Sequence, residues 1–169
     1  MIDYEIKSEN SSDHWVHFNV QNKNVLDLGC GRWDVSDINE ITPFYFYKQQ
    51  AAKVVAIDTS EDEIKFLNEN NLDKEKINFI HDSISTEQQI KDLISEYNIR
   101  AIKSDIESNE WLFFNFSAKD FENIDSFAVE YHNHFYKQEF LNRYQNWGFK
   151  LIAHGKLWID GLGVLFFEK

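Results

Sequence analysis

The chain has 169 residues, 43% of them hydrophobic and 27% charged, with a formal net charge of −12. That length suits one domain with a buried core, and the composition is that of a soluble globular chain. An acidic chain repels phosphate backbones and anionic membranes, so nucleic acid and membrane surfaces are discounted as main partners.

Cys30 is the single cysteine and cannot close an internal disulfide, which suits a reducing compartment. No apolar run reaches the length of a membrane span, and the first residues show no basic-then-apolar leader. A cytoplasmic location is expected.

Residues 1–23 are polar with islands at Trp15, Val16 and Phe18. They read as a lead-in to a single domain spanning 24–169. The domain opens on Asn24-Val25-Leu26-Asp27-Leu28-Gly29-Cys30-Gly31. An apolar strand run there meets two glycines one residue apart. Such a loop turns sharply and lets a ligand approach the backbone. The next run, 53–57, ends in Asp58, where an acid is placed to accept hydrogen bonds from a ribose diol. Together these strands define a βαβ half of a Rossmann-like α/β fold.

Between them, Thr42-Pro43 reads as the start of a helix over 43–52. Ser60 with Glu63 forms a capping box for a second helix, with Ile64 and Leu67 on its buried stripe. A third strand over 77–80 runs into His81-Asp82. Thr86 with Gln89 caps a third helix carrying Ile90, Leu93, Ile94 and Tyr97 at helical spacing.

A fourth strand is expected over 101–107, a short helix over 118–124 and a fifth strand over 127–132. A helix over 137–147 then stops at Gly148. The runs 149–153 and 164–167 lack a crossover helix between them, so they are expected to be antiparallel.

The strand ends thus carry Gly29 and Gly31, Asp58, Asp82, Asp105 with Glu107, and Glu130 with His132, on one rim. An acid at a strand end is usually a helix cap or a solvated loop residue. Five strand ends in succession point to a site, because open α/β sheets bind ligands outside these ends.

Asp-Leu-Gly-Cys-Gly (27–31), Ala-Ile-Asp-Thr-Ser (56–60) and His-Asp-Ser (81–83), closed by an antiparallel hairpin, resemble a class I S-adenosylmethionine-dependent methyltransferase. The stretch 102–110, Ile-Lys-Ser-Asp-Ile-Glu-Ser-Asn-Glu, followed by Val129-Glu130-Tyr131-His132, is similar to the FkbM-type branch. That branch carries Lys-x-Asp-x-Glu-Gly-x-Glu on its fourth strand. Ser108 stands where the branch has glycine, and Trp33 where a third glycine is common.

The resemblance covers about 25–167. It implies a three-layer sandwich with a seven-stranded sheet in the order 3-2-1-4-5-7-6 and only strand 7 antiparallel. It further implies S-adenosylmethionine as cofactor. Gly29, Cys30 and Gly31 would meet the methionine part, and Asp27 its ammonium. Asp58 and Thr59 would take the ribose, and Asp82 and Ser83 the adenine. Asp105 would face the methyl group.

Asp105, Glu107 and His132 are the catalytic candidates. His132 is the first choice for a general base, because imidazole titrates near neutral pH. Its other reading is a polar residue capping the fifth strand. Asp105, Glu107, Glu130 and His132 could instead hold Mg²⁺ or Mn²⁺, with strand and helix capping as the plainer role. Arg32 is a candidate for the cofactor carboxylate, and His14 and Trp15 for a cover over the substrate.

The expected activity is O-methylation of a small-molecule acceptor such as a sugar or metabolite hydroxyl. A nicotinamide-dependent oxidoreductase would want Gly-x-Gly-x-x-Gly opening a helix directly, which the loop through Trp33 is not. A non-catalytic cofactor- or partner-binding module is the other alternative. Oligomeric state and the identity of the acceptor are not encoded in any motif.

Overall fold

The computed structural model describes residues 1–8, 10–31, 35–107 and 109–169. Arg32, Trp33 and Ser108 therefore lie outside the described residues. The chain runs β1 (Ile2–Glu5), α1 (Ser11–His14), β2 (Asn24–Leu28), α2 (Thr42–Lys48), β3 (Lys53–Asp58), α3 (Glu61–Glu69) and β4 (Ile77–His81). It continues through α4 (Glu87–Glu96), β5 (Ala101–Ser104), β6 (Ser126–Tyr131), α5 (His134–Asn146), β7 (Lys150–Lys156) and β8 (Gly163–Glu168). Short 3₁₀ turns at Ile38–Glu40 and Glu110–Asn115 flank the site.

One sheet holds eight strands in the order β1-β7-β8-β6-β5-β2-β3-β4. This corrects the seven-strand expectation in count, and in full order only by the strand added at the edge: β2 to β8 keep the order expected of the seven. The added strand comes from the lead-in: Ile2 to Glu5 pair parallel with Ala153 to Lys156 on β7. The first residues do alternate, Ile2-Asp3-Tyr4-Glu5-Ile6, but all four positions of β1 are exposed or half-exposed, so the alternation buries no face of its own. β1 is instead anchored by its flanks. Tyr4 and Ile6 close over Gly155, where an added Cβ would lie 2.7 Å from Ile6 Cδ1. β8 is antiparallel to both neighbours, as a hairpin without a crossover requires.

Strand alternation separates two cores. Val25, Val54, Ala56, Ala101 and Ala128 face α2, α3 and the lead-in through Phe46, Leu67 and Trp15. Leu26, Leu28, Val55, Ile57 and Ile102 face α4 and α5 through Ile90, Phe140 and Tyr144. The sheet is the middle of three layers. Each fully buried side chain of this size contributes roughly 1.5–3 kcal/mol of burial.

Several boundaries differ from the sequence reading. The helix placed over 118–124 is absent. The Asp120 carboxylate there accepts from Ser117 N at 2.7 Å and from Ser117 Oγ at 2.7 Å, a side-chain turn that competes with helix. The 3₁₀ turn Glu110–Asn115 lies just upstream and buries Leu112 and Phe113. α5 starts at His134 rather than 137 because the Asn133 side chain accepts from Tyr136 N at 2.8 Å. α2 ends at Lys48, followed by Gln50 at φ 66°. Among the described residues no helix is long and apolar enough to cross a membrane.

Candidate functional site

The face shared with α2 and the lead-in carries polar residues where its strands reach the rim. Asp27 on β2 and Lys103 on β5 are register partners in adjacent parallel strands. Both are buried, and Lys103 Nζ lies 3.1 Å from Asp27 Oδ1. The same ammonium donates to the carbonyls of Gly29 and, at 3.3 Å, Leu28. It lies 3.8 Å from Asp105 Oδ2 and 5.0 Å from the centre of the Trp15 ring. Asp27 Oδ2 accepts from Thr42 Oγ1 at 2.6 Å.

Burial pushes the Asp27 carboxyl up, against the pull of Lys103 and Thr42. Burial works against the Lys103 ammonium too, but Asp27 and Asp105 outweigh it and its pKa is raised. The two shifts point in opposite directions for the strength of the pair. The geometry decides between them: two full charges at 3.1 Å with further donors and acceptors around both make an ion pair.

The Asp27 carboxylate is thus engaged by Lys103 and Thr42 and ties β2 to β5 and α2. Cys30 follows in the glycine loop. Its side chain is buried in the α2-side core, burial pushes its thiol up, and its backbone N–H bonds Ile57 O at 3.2 Å. Gly29 has φ 75°, and a Cβ there would lie 1.7 Å from the carbonyl oxygen of Asp105. The close approach this glycine permits is thus between two strand ends of the chain itself.

The remaining cofactor candidates do meet. A cavity of about 320 Å³ is lined by Gly29, Asp58, Thr59, Asp82, Ser83 and Asp105, together with Ile57, Ile84, Ile106, Glu107 and Asn109. A neighbouring one of about 360 Å³ shares Gly29, Asp58, Asp105 and Glu107 and adds Gly31, Ser60 and Glu63. Asp58 Oδ2 accepts from Gly31 N at 2.8 Å and Oδ1 from Ser60 N at 2.9 Å. Each oxygen keeps a second lone pair, so two more donors can be accepted. Asp82 is exposed, and its Oδ1 accepts from Ser83 N at 2.8 Å.

Across the rim, Glu130 is the last residue but one of β6, and His132 follows the strand. His132 Nδ1 lies 2.8 Å from Glu110 Oε1, and Nε2 lies 3.4 Å from Glu107 Oε2 and 3.7 Å from Glu130 Oε1. His14 Nε2 reaches Glu130 Oε2 at 2.9 Å from the lead-in. Asp105, Glu107 and His132 each bring one ligand-type atom within 4.8 Å of the others. Glu107 has φ 40°, a backbone region that residues with a Cβ rarely use.

Burial and Glu130 raise the Asp105 carboxyl to about 7, and Glu110 raises His132 to about 9 against its burial. That shift favours the imidazolium form of His132 at neutral pH over the neutral ring a base requires. Its strong neighbour Glu110 sits on the 3₁₀ turn, not on a strand end; it closes the 102–110 motif but was given no role there. Lys103 was also missed as a site residue. A charge that follows apolar Ala101 and Ile102 within a buried strand requires a buried counterion, and that was its signal in the sequence. His14 and Trp15 line a small cavity with Gly29, Lys103 and Asp105, so the lead-in forms a wall of the site.

These shifts set a pH dependence. His132 is raised in the fold, so its stabilisation is complete below the unfolded value of 6.5 and is lost as pH rises through about 9. Asp105, raised from 3.8 to about 7, favours the fold in its protonated form and costs stability as pH rises through that window. Both act in the same direction. Urea denaturation should show stability falling between pH 6.5 and 9, by at most about 3 kcal/mol from His132. In Glu110→Gln this slope should flatten, and an equally steep slope would disprove the pairing.

No family model matches the chain, and no curated protein matches it. Solved structures of similar fold do. A protein of the NADB-Rossmann superfamily from Streptococcus agalactiae is 14% identical with a TM-score of 0.55, over 88% of this chain and 62% of that one. Aeropyrum pernix fibrillarin, in complex with natively bound S-adenosyl-L-methionine, is 10% identical with a TM-score of 0.56, over 87% and 66%. An rRNA methylase from Streptococcus thermophilus is 16% identical with a TM-score of 0.56, over 89% of both chains. The chain spans less than two thirds of the length of the first two. At these identities the likeness shows a Rossmann-like α/β fold.

Proposed function

We propose that the chain is an S-adenosylmethionine-dependent methyltransferase acting on the hydroxyl of a small molecule, such as a sugar or metabolite. The observation that carries this is the rim cavity in which Gly29, Asp58, Asp82 and Asp105 converge. Its volume of about 320 Å³ lies within the range of small-molecule sites, roughly 300–1,000 Å³. Two spare lone pairs on Asp58 fit a ribose diol, and exposed Asp82 with Ser83 suits an adenine edge. Of the solved structures of similar fold, one is named as an rRNA methylase and one, a fibrillarin, has this cofactor bound. The FkbM-type reading rests on Lys103, Asp105 and Glu107 at their spacing.

When bound, the cofactor supplies a methyl group on a sulfonium, already an activated electrophile. The protein's task is alignment, exclusion of water and removal of a proton. Asp105 lies between the cofactor cavity and the acidic rim, with a pKa near 7, and is the group suited to accept the acceptor's hydroxyl proton. The His132 imidazolium, held by Glu110, offers a donor to the acceptor. Rim acids and the net charge of −12 favour an uncharged or cationic acceptor over a phosphodiester, although one neighbour is named as an rRNA methylase.

Calorimetric titration with S-adenosylhomocysteine and, separately, NAD tests the reading. Saturable binding of the first and none of the second is expected. Binding of neither points to a non-catalytic module, and preference for NAD to an oxidoreductase.

A further inference from the structure

We propose that Asp105, Glu107 and His132 form a binding site for one divalent cation of the Mn²⁺ type, beside the cofactor cavity. Three observations carry it.

The first is convergence: the three ligand-type atoms lie within 4.8 Å of one another, and Glu130 Oε1 lies 3.7 Å from His132 Nε2. Metal–oxygen bonds of about 2.0–2.2 Å put opposite ligands about 4.2 Å apart, so a contraction of about half an ångström suffices. Glu107, with a side chain 82% exposed, is free to supply it.

The second is Glu110. It is fully buried, and its one close charged partner among the described residues is His132. It is aimed into the cluster, with Oε1 2.8 Å from His132 Nδ1. A carboxylate behind one ring nitrogen keeps the proton there and turns the other nitrogen into a ligand, the usual arrangement behind a metal-bound histidine. Here the other nitrogen, Nε2, faces Glu107 and Glu130.

The third is charge. Asp27, Asp105, Glu107, Glu110 and Glu130 meet Lys103, His14 and His132, so acids outnumber bases even with both histidines protonated. A divalent cation replacing the proton on Nε2 corrects that excess. Carboxylates with a single imidazole suit Mn²⁺ better than the all-oxygen preference of Mg²⁺ or the thiolate-rich sites of zinc. Placed there, the ion would take over from the Nε2–H donor of His132 and lower the pKa of an acceptor hydroxyl. That last role rests on the methyltransferase reading, whereas binding of the ion does not.

The test is titration of the full chain with Mn²⁺, followed by the loss of the free-ion electron paramagnetic resonance signal. Wild type should bind one ion per chain saturably. Glu107→Gln, at an exposed position that leaves the fold alone, and His132→Gln should each weaken binding at least tenfold. Glu110→Gln should weaken it about 10–100-fold, as loss of the group orienting a metal-bound histidine does. Asp160→Asn, an exposed acid on the β7–β8 turn, should bind as wild type.

Absence of saturable binding, or equal binding in Glu107→Gln and His132→Gln, overturns the proposal. S-adenosylhomocysteine calorimetry without metal reports on the cofactor reading separately, so failure of one is distinct from failure of the other.

Discussion

Lys103→Ala is expected to lower the stability of the fold by about 3–5 kcal/mol, which in a chain of this size means a fall in Tm of roughly 6–20 °C. The substitution leaves Asp27 buried with only Thr42 Oγ1 beside it, and an uncompensated buried charge costs more than the intact pair contributes. It also releases the Gly29 carbonyl and removes the cation beside Asp105.

Replacing both partners, as Asp27→Leu with Lys103→Met, should recover a large part of the loss, because well-packed apolar residues can replace a buried ion pair at little cost. The double-mutant cycle measures the coupling directly. Because the Lys103 pKa is raised in the fold, its contribution is complete below the unfolded value of 10.5 and disappears only as pH rises through the folded one. Chemical denaturation followed by circular dichroism gives the numbers. A loss below 1 kcal/mol for Lys103→Ala would show that the pair is incidental.

That pair also shows what was legible in the sequence and what was not. The strand runs 24–28, 53–57 and 77–80, the glycines at 29 and 31 and the terminal hairpin could be read because each is local: apolar runs, turn residues and caps carry their own signal. The acids at the strand ends could be read for the same reason. What partners them could not. Asp27 and Lys103 are 76 positions apart and meet only because the β2–β5 register places them side by side. His14 reaches Glu130 because β1 joins the far edge of the sheet, and the short alternation Ile2-Asp3-Tyr4-Glu5-Ile6 does not say which edge that is. Glu110 approaches His132 from a 3₁₀ turn lying where a loop was expected and a helix was placed downstream.

So the positions of the rim residues were visible, while their protonation was not. His132 looked like a base because imidazole titrates near neutral pH. A carboxylate 2.8 Å away changes that, and no motif encodes the distance.

Asp58→Ala is expected to weaken binding of S-adenosylhomocysteine about ten- to a hundredfold, since each charge-assisted hydrogen bond to the ribose contributes roughly 1.5–3 kcal/mol. Two effects enter this loss and must be separated. Asp58 also fastens the glycine loop by accepting from Gly31 N and Ser60 N, so its removal loosens the wall of the cavity as well as the ribose contact.

A ligand variant separates them. The 2′-deoxy form of S-adenosylhomocysteine lacks one of the two hydroxyls assigned to Asp58. If the carboxylate binds the diol, wild type should lose affinity for the deoxy ligand, and Asp58→Ala should discriminate between the two ligands far less. If Asp58 only fastens the loop, the two losses should add, because the deleted hydroxyl would then have its partner elsewhere. Circular dichroism of Asp58→Ala confirms that the fold is retained, which the half-exposed position favours. An unchanged dissociation constant for S-adenosylhomocysteine in the folded variant would remove Asp58 from the ligand site altogether.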